Sequence, residues 1–159
     1  MPRTLIEVVD AQEGRDLAMR VWRAANHARR RPAGELRASR VRERIDSAEL
    51  LLLAHYGARP AGVLLAETFV DEHSPDRRPD PTTGHLAMLY VDPALWGCGI
   101  GTRLLRDLQT RSWEHLSAWT RADNRRGQRV LLAAGFTDTA NRSQLQDGEE
   151  IMQFRWSRA

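Results

Sequence analysis

Apolar residues along the 159-residue chain recur at two different spacings, one typical of helices and one typical of strands. Two apolar runs, residues 48–56 and 61–70, flank a turn sequence at residues 57–60, and together they predict a hairpin of two strands. Residues 13–30 and 99–113 instead place apolar side chains three or four positions apart, which predicts two amphipathic helices. The pattern therefore predicts a domain that contains both helices and strands.

Applied to the whole chain, the two spacings predict seven strands and four helices in a mixed order. The predicted strands are residues 4–9, 48–56, 61–70, 85–91, 116–120, 136–141 and 150–156. The predicted helices are residues 13–30, 36–45, 99–113 and 124–134. Residues 71–84 are rich in proline, aspartate, arginine and threonine, so they are predicted to be a long loop. This order is typical of an α+β fold in which helices cover a mixed sheet.

The length and composition of the chain favour one globular domain over residues 1–159. No apolar run approaches the roughly 20 residues that a membrane-spanning helix needs, so no membrane partner is predicted. The N-terminal residues lack the pattern of a signal peptide, and we expect a cytoplasmic location. The single cysteine, Cys98, excludes an internal disulfide and a cysteine-rich zinc site, and no metal site is predicted.

Arginine supplies all 24 basic residues of the chain, which contains no lysine. The arginines are concentrated between residues 20 and 44, where nine of them are opposed only by Glu35 and Glu43. One interpretation is a solvated helical face. The other is a surface that attracts an anionic partner, such as a nucleic acid, an acidic peptide or the phosphates of a cofactor.

A glycine-rich segment joins the fourth predicted strand to the third predicted helix. Residues 91–102 have the sequence VDPALWGCGIGT, so Gly97, Gly99 and Gly101 surround the start of the helix. Glycines let a ligand approach the backbone, and free N–H groups at a helix N-terminus favour phosphate. The segment therefore predicts a site for a pyrophosphate group, although a tight turn without a ligand also accounts for the glycines.

Two known phosphate-binding loops do not fit this segment. A dinucleotide-binding fold has Gly-x-Gly-x-x-Gly after its first strand, whereas several predicted strands precede Gly97 and the glycine spacing differs. A Walker loop requires Gly-Lys-Ser or Gly-Lys-Thr, and the chain has no lysine. Both classes are therefore disfavoured.

The residues around the glycine loop resemble the acetyl-CoA-binding motif of the GNAT family of acetyltransferases. The first part of the match is residues 89–93 (LYVDP), 97–102 (GCGIGT) and 104–105 (LL). The second part is residues 119–124 (WTRADN), followed by residues 135–136 (GF) at the distance typical of the family. The resemblance covers the chain from the fourth predicted strand to the end of the fourth predicted helix.

The resemblance implies an α+β fold with a mixed, mainly antiparallel sheet of about seven strands and helices on both faces. It also implies acetyl-CoA as co-substrate, whose pantetheine arm enters a gap where the fourth strand splays from the fifth. The backbone positions assigned to the cofactor are Leu89, Tyr90, Val91, Gly97, Cys98, Gly99, Ile100, Gly101 and Thr102. Asn124 matches an asparagine that binds the pantetheine, but it is also placed to cap a helix, and both roles can coexist. Trp96 departs from the family, which usually has Gln or Arg there.

The catalytic residues do not follow from the resemblance. Many family members use a tyrosine where this chain has Leu131, and some use a glutamate where it has Trp119. Substitutes are therefore sought near the predicted thioester by their chemistry. The candidates are His85 as a base near neutral pH, Glu67 on the third strand, Tyr90 as a proton donor, and His73 in the predicted loop. Each also has a purely structural interpretation, at a strand edge, in the core or in solvent.

The resemblance implies an N-acetyltransferase that moves an acetyl group directly to a primary amine of a small molecule. A protein amine, an aminoacyl-tRNA, or an inactive acyl-CoA-binding sensor are alternatives, whereas a nucleic-acid-binding domain rests on arginine alone. The family builds its acceptor pocket from the first two helices and the late strands. Here this predicts a pocket formed by Trp22, Asn26, His27, the arginines and the loop at residues 71–84. Arginines at the pocket mouth would favour an acceptor with negative charge beside its amine. Pairing of C-terminal edge strands, seen in the family, would give a homodimer.

Overall fold

The computed structural model describes residues 5–10, 14–72 and 74–159 of the chain. Within these residues, seven strands and four α-helices follow one another in the predicted order. The strands are β1 (Ile6–Asp10), β2 (Leu50–Tyr56), β3 (Arg59–Val70), β4 (Pro79–Val91), β5 (His115–Arg121), β6 (Thr137–Gln144) and β7 (Glu150–Ser157). The helices are α1 (Arg15–His27), α2 (Glu35–Asp46), α3 (Ile100–Gln109) and α4 (Arg125–Ala133). A short 3-10 helix, Pro93–Leu95, lies between β4 and α3.

The seven described strands join one sheet in the order β1-β2-β3-β4-β5-β7-β6. Neighbouring strands are antiparallel except for β4 and β5, which are parallel. The predicted mixed, mainly antiparallel sheet of an α+β fold is therefore confirmed. In the part of the chain that the structure describes, no helix has the length and apolar surface needed to cross a membrane.

Helices cover both faces of the sheet because its central strands are apolar on both sides. In β2, Leu50 and Leu52 pack in a cluster with α3 and α4, whereas Leu51 and Leu53 pack in a second cluster with α1 and α2. The second cluster includes Trp22 of α1, whose side chain is fully buried. Burying one large apolar side chain stabilises a fold by about 1.5–3 kcal/mol, so this double-sided run fixes both helix layers against the sheet.

The fourth strand begins earlier than the sequence pattern indicated. β4 starts at Pro79, and its first two residues pair with the end of β3. The Asp80 carboxylate accepts hydrogen bonds of 2.7–3.0 Å from the N–H and hydroxyl of Thr82 and from the hydroxyl of Thr83. The prediction of a loop over residues 71–84 is therefore wrong for residues 79–84. Polar residues in an exposed strand segment show no apolar alternation, so the pattern did not reveal the strand.

A β-bulge in β4 opens the sheet between β4 and β5. Leu65 and Ala66 of β3 pair with Met88 and Leu86 of β4, so Ala87 is an extra residue in the ladder. The parallel pairing of β4 with β5 stops at Leu86, one residue before the bulge. A bulge bends its strand and increases its twist. β4 and β5 therefore diverge beyond this point, which confirms the predicted splay.

Two glycines let α3 pack closely against its neighbours and so fix the position of the glycine loop. A Cβ atom at Gly62 of β3 would lie 2.8 Å from Ile100, the first residue of α3. A Cβ atom at Gly101 would lie 3.1 Å from Val130 of α4. The first turn of α3 is therefore held against both the sheet and α4.

Candidate functional site

The gap between β4 and β5 opens into a cleft of about 800 Å³, called here the central cleft. Tyr90 of β4 and Trp119 of β5 line it, one from each splayed strand. The end of α1 and the loop after it form one side, and the start of α4 forms the other. A second cavity of about 330 Å³, the glycine groove, follows the glycine loop and shares Val91, Trp96 and Arg126 with the central cleft. The two cavities are therefore adjacent at the open end of the gap.

The glycine loop leaves hydrogen-bond donors at the start of α3. Gly97 and Gly99 have φ angles of +82° and +85°, a region that glycine adopts without strain. The first hydrogen bond of α3 runs from the Arg103 N–H to the Gly99 carbonyl, so the N–H groups before Arg103 have no acceptor within the helix. No described side chain caps this end. Of the predicted phosphate donors, the Cys98 N–H instead donates to the Leu95 carbonyl at 3.3 Å.

Trp96 lies across the boundary between the two cavities. Its indole N–H donates a hydrogen bond of 3.1 Å to the carbonyl oxygen of Val91. The guanidinium carbon of Arg126 lies 3.7 Å from the centroid of the indole ring, a cation–π contact. This pair connects the glycine loop to α4 over the end of β4.

Asn124 caps the N-terminus of α4. Its Oδ1 accepts a hydrogen bond of 3.0 Å from the Gly127 N–H, and its Nδ2 donates to the Thr120 hydroxyl at 3.1 Å. A Cβ atom at Gly127 would lie 2.5 Å from that Nδ2, so the cap depends on a glycine there. The predicted helix cap is confirmed. Asn124 also lines the central cleft, and its contact with pantetheine stays a prediction.

The structure brings His85 and Glu67 together across β3 and β4, where they are register partners. The His85 Nδ1 lies 3.0 Å from the Ser117 hydroxyl of β5, and the Glu67 carboxylate accepts a hydrogen bond of 2.9 Å from Arg44 of α2. Burial lowers the pKa of the His85 imidazole below its usual value, and the Glu67 carboxylate partly offsets this effect. His73 lies outside the described residues.

His85 and Tyr90 lie at different positions along β4, one in its paired part and one in its open part. His85 lies where β4 and β5 still pair, and neither it nor Glu67 is among the residues that line the two cavities. Tyr90 lies in the open part of the gap and lines the central cleft. Leu131, at the position of the family tyrosine, is 4% exposed and belongs to the core between α4 and the sheet. The catalytic roles of His85, Glu67 and Tyr90 therefore stay predictions.

The loop after α1 is held by one buried side chain. Asn26 is 6% exposed; its Nδ2 donates to the Ala33 carbonyl, and its Oδ1 accepts from the Ala33 N–H, both at 2.9 Å. The loop between these residues carries the arginines at positions 29, 30 and 31, which line the central cleft. Of the other predicted pocket residues, Trp22 is core and His27 is exposed outside the cleft. None of the described residues between 71 and 84 lines the cleft, so that part of the prediction is wrong.

Sequence reasoning did not find two residues that line the far side of the central cleft. Arg121 ends β5, and Glu149 lies in the turn that precedes β7. The Arg121 guanidinium lies 3.5 Å from the carboxylate of Asp147, which belongs to the same turn. Arg121 lies within the second part of the motif, which assigns it no role, and Glu149 belongs to no motif. The pairing of β7 with β5 brings the turn that carries Glu149 to the cleft.

Comparison with known proteins identifies relatives of the chain. The model of the acetyltransferase (GNAT) family matches residues 14–136. No curated protein matches the chain in sequence. The match spans α1 to the residue before β6, and so contains the glycine loop and both walls of the gap.

Solved structures share the fold at low sequence identity. The ribosomal-protein-S18-alanine N-acetyltransferase from Escherichia coli has a TM-score of 0.68 and 17% identity, over 98% of this chain and 96% of that chain. An acetyltransferase of the GNAT family from Bacillus cereus has a TM-score of 0.70 and 17% identity, over 98% and 99%. The protein yncA from Salmonella typhimurium, solved with its cofactor acetyl-CoA, has a TM-score of 0.66 and 16% identity, over 98% and 94%.

Proposed function

The chain belongs to the acetyltransferase (GNAT) family, and we propose that it transfers an acetyl group from acetyl-CoA directly to the primary amine of a small molecule. The observation that carries this proposal is the continuity of the glycine groove with the central cleft through the gap between β4 and β5. One cavity suits a phosphate-bearing cofactor, and the other leaves room for an acceptor beside it.

Acetyl-CoA is the co-substrate, and the residues present fit it. The glycine groove has an apolar wall, which includes Leu89, Val91 and Val130, for the pantetheine arm. Its floor is the start of α3, where the N–H groups of residues 100–102 have no acceptor within the helix and can hold the pyrophosphate. When bound, acetyl-CoA supplies an activated acetyl thioester.

The chain itself must take a proton from the amine and give one to the leaving sulfur. Because burial lowers the pKa of His85, its imidazole is neutral at pH 7 and able to accept a proton. The buried Ser117 hydroxyl, 3.0 Å from Nδ1, holds that ring in place from β5. Tyr90 is the proposed donor to the sulfur, because it lines the cleft and Leu131 has no proton to give.

The size of the central cleft supports a small acceptor. Its volume of about 800 Å³ lies in the range of small-molecule sites, roughly 300–1,000 Å³. A sensor that binds acyl-CoA without turnover is the second candidate, favoured by Leu131 in place of the family tyrosine. Catalysis separates the two, since a sensor binds the cofactor and acetylates nothing.

The test is thiol release from acetyl-CoA against a panel of amines, with cofactor binding measured by calorimetry in the same preparations. We expect micromolar binding and turnover with one amine class. The variants His85→Gln and Tyr90→Phe should lower kcat by roughly 10²-fold or more, as for other general acids and bases. Binding without turnover on any amine would favour the sensor, and absence of binding would refute both.

A further inference from the structure

We propose that the acceptor carries an anionic group, a carboxylate or a phosphate, beside its amine, and that the arginines at positions 29, 30 and 31 bind it. This inference rests on the proposed function and names its substrate class. It assigns the loop after α1, called here the arginine loop, to recognition of the acceptor.

The central cleft is strongly positive. Seven arginines line it, against two carboxylates, Asp123 and Glu149. Four of the seven lie on β5 and α4, and three lie on the arginine loop. A cleft lined by charge of one sign concentrates ligands of the opposite charge. The cleft therefore favours an anion even after Asp123 and Glu149 are counted.

The arginine loop has no carboxylate partner among the described residues. Three of the other six arginines between residues 20 and 44 do have one: Arg23 pairs with Glu35, Arg42 with Asp16 and Asp46, and Arg44 with Glu67. The guanidinium groups at the cleft are thus left available for a ligand. Arginine presents paired N–H donors that match a carboxylate or phosphate in two-pronged geometry.

The loop is also preorganised for binding. The two hydrogen bonds between Asn26 and Ala33 fix both ends of the segment that carries the three arginines. Because Asn26 is buried, these bonds are protected from competing water. A ligand that meets a prearranged set of donors loses less entropy on binding than one that must order a free loop.

The phosphates of acetyl-CoA do not account for this loop. α1 packs on the face of the sheet opposite to α3 and the glycine groove. Arg126 of α4 borders the glycine groove, and none of the loop arginines does. The arginines of α4 are therefore the ones placed for the cofactor. Glu149, across the cleft from the loop, offers a negative group for the ammonium end of the same acceptor.

The experiment compares amines in pairs that differ mainly in charge. The pairs are alanine with alaninamide, glycine with glycinamide, and phosphoethanolamine with ethanolamine. We expect kcat/KM to favour the anionic member of at least one pair by tenfold or more. Preference in the first two pairs indicates a carboxylate site, and preference in the third indicates a phosphate site.

Two double variants that each remove two positive charges test whether the preference for an anionic acceptor depends on the arginine loop. Arg30→Gln/Arg31→Gln should reduce the anionic preference to about twofold or less, and should leave the Kd of acetyl-CoA unchanged. The control, Arg37→Gln/Arg40→Gln, removes two exposed arginines of α2 that line neither cavity, and it should retain the preference. A loop variant that weakens acetyl-CoA binding but keeps the acceptor preference would overturn the proposal.

Failure of the proposed function would have a different signature. If acetyl-CoA binds but no amine is acetylated, the same pairs are titrated by calorimetry into the complex with CoA. Tighter binding of an anionic member, lost in the loop variant, would support the inference while refuting catalysis. A preference for neutral or cationic amines, or none in either assay, would refute the inference.

Discussion

The indole N–H of Trp96 donates a hydrogen bond of 3.1 Å to the carbonyl oxygen of Val91, the last residue of β4. Val91 is one of the backbone positions predicted to pair with the pantetheine arm of acetyl-CoA. The indole N–H of Trp96 is therefore already bonded to a carbonyl oxygen that the cofactor is expected to use. The indole N–H occupies one of the two acceptor positions of this oxygen, so Trp96 is expected to weaken cofactor binding relative to a residue that makes no such bond.

The substitution Trp96→Phe tests this competition. It removes the indole N–H and keeps an aromatic ring for the contact with Arg126. Since a neutral hydrogen bond contributes about 0.5–1.5 kcal/mol net, acetyl-CoA should bind roughly two- to tenfold more tightly. Isothermal titration of wild type and variant measures the change. Trp156→Phe, at a half-buried position away from both cavities, is the matched control. Weaker binding by Trp96→Phe would mean that the indole assists the cofactor.

The substitution Gly99→Ala tests the glycine loop as a phosphate site. Gly99 has a φ of +85°, and alanine in this region costs about 1–2 kcal/mol of stability. The added methyl group would also occupy open space at the start of α3, where a phosphate must approach. We expect acetyl-CoA to bind roughly tenfold more weakly or worse, since hydrogen bonds to charged groups contribute about 1.5–3 kcal/mol.

Gly148→Ala provides the control for backbone strain. Gly148 has a φ of +83°, also faces open space, and lines neither cavity. Both variants should lose similar stability in urea unfolding, and only Gly99→Ala should lose cofactor affinity. Equal acetyl-CoA affinities in the two variants would show that the glycine loop does not bind a phosphate of the cofactor.

The titration of His85 should make stability depend on pH. Burial lowers the pKa of His85 in the folded state, whereas the unfolded chain has a value of about 6.5. Between these two values the unfolded state binds more protons, so the free energy of unfolding falls as pH decreases through about 6.5. Urea unfolding at pH 7.5 and pH 5.5 should show a larger loss for wild type than for His85→Gln. Equal losses would mean that the pKa of His85 is not lowered.

The sequence predicted the fold well because its strongest signals are local. The apolar runs at residues 48–56 and 61–70 indicated a hairpin of two strands, and residues 91–102 indicated a loop at a helix start. The beginning of β4 at Pro79 was missed because residues 79–82 form a polar, exposed segment without apolar alternation. The bulge at Ala87 is a single inserted residue that only the pairing with β3 reveals.

The site was predictable in detail where a motif covers it, and in outline where the resemblance assigned the first two helices to the acceptor pocket. The glycine loop and Asn124 belong to recognisable patterns, so their positions followed from the sequence. The acceptor side depends instead on contacts between distant segments. Glu149 reaches the cleft through the pairing of β7 with β5, and the arginine loop through the contact of Asn26 with Ala33.

The substitution Asn26→Ala tests whether the arginine loop positions the acceptor. Loss of the amide leaves the N–H and carbonyl of Ala33 without their buried partner, which should lower the free energy of unfolding by about 1–3 kcal/mol. If the loop then loses its fixed arrangement, the KM of the acceptor should rise severalfold while kcat and the Kd of acetyl-CoA change little. Steady-state kinetics with the preferred amine, beside calorimetry with acetyl-CoA, separates these quantities. Asn141→Ala removes an exposed amide from β6 and should leave all three unchanged. If Asn26→Ala instead lowers kcat and weakens acetyl-CoA binding as much as it raises the KM of the acceptor, the residue has a general structural role. A positioning residue would affect the acceptor alone.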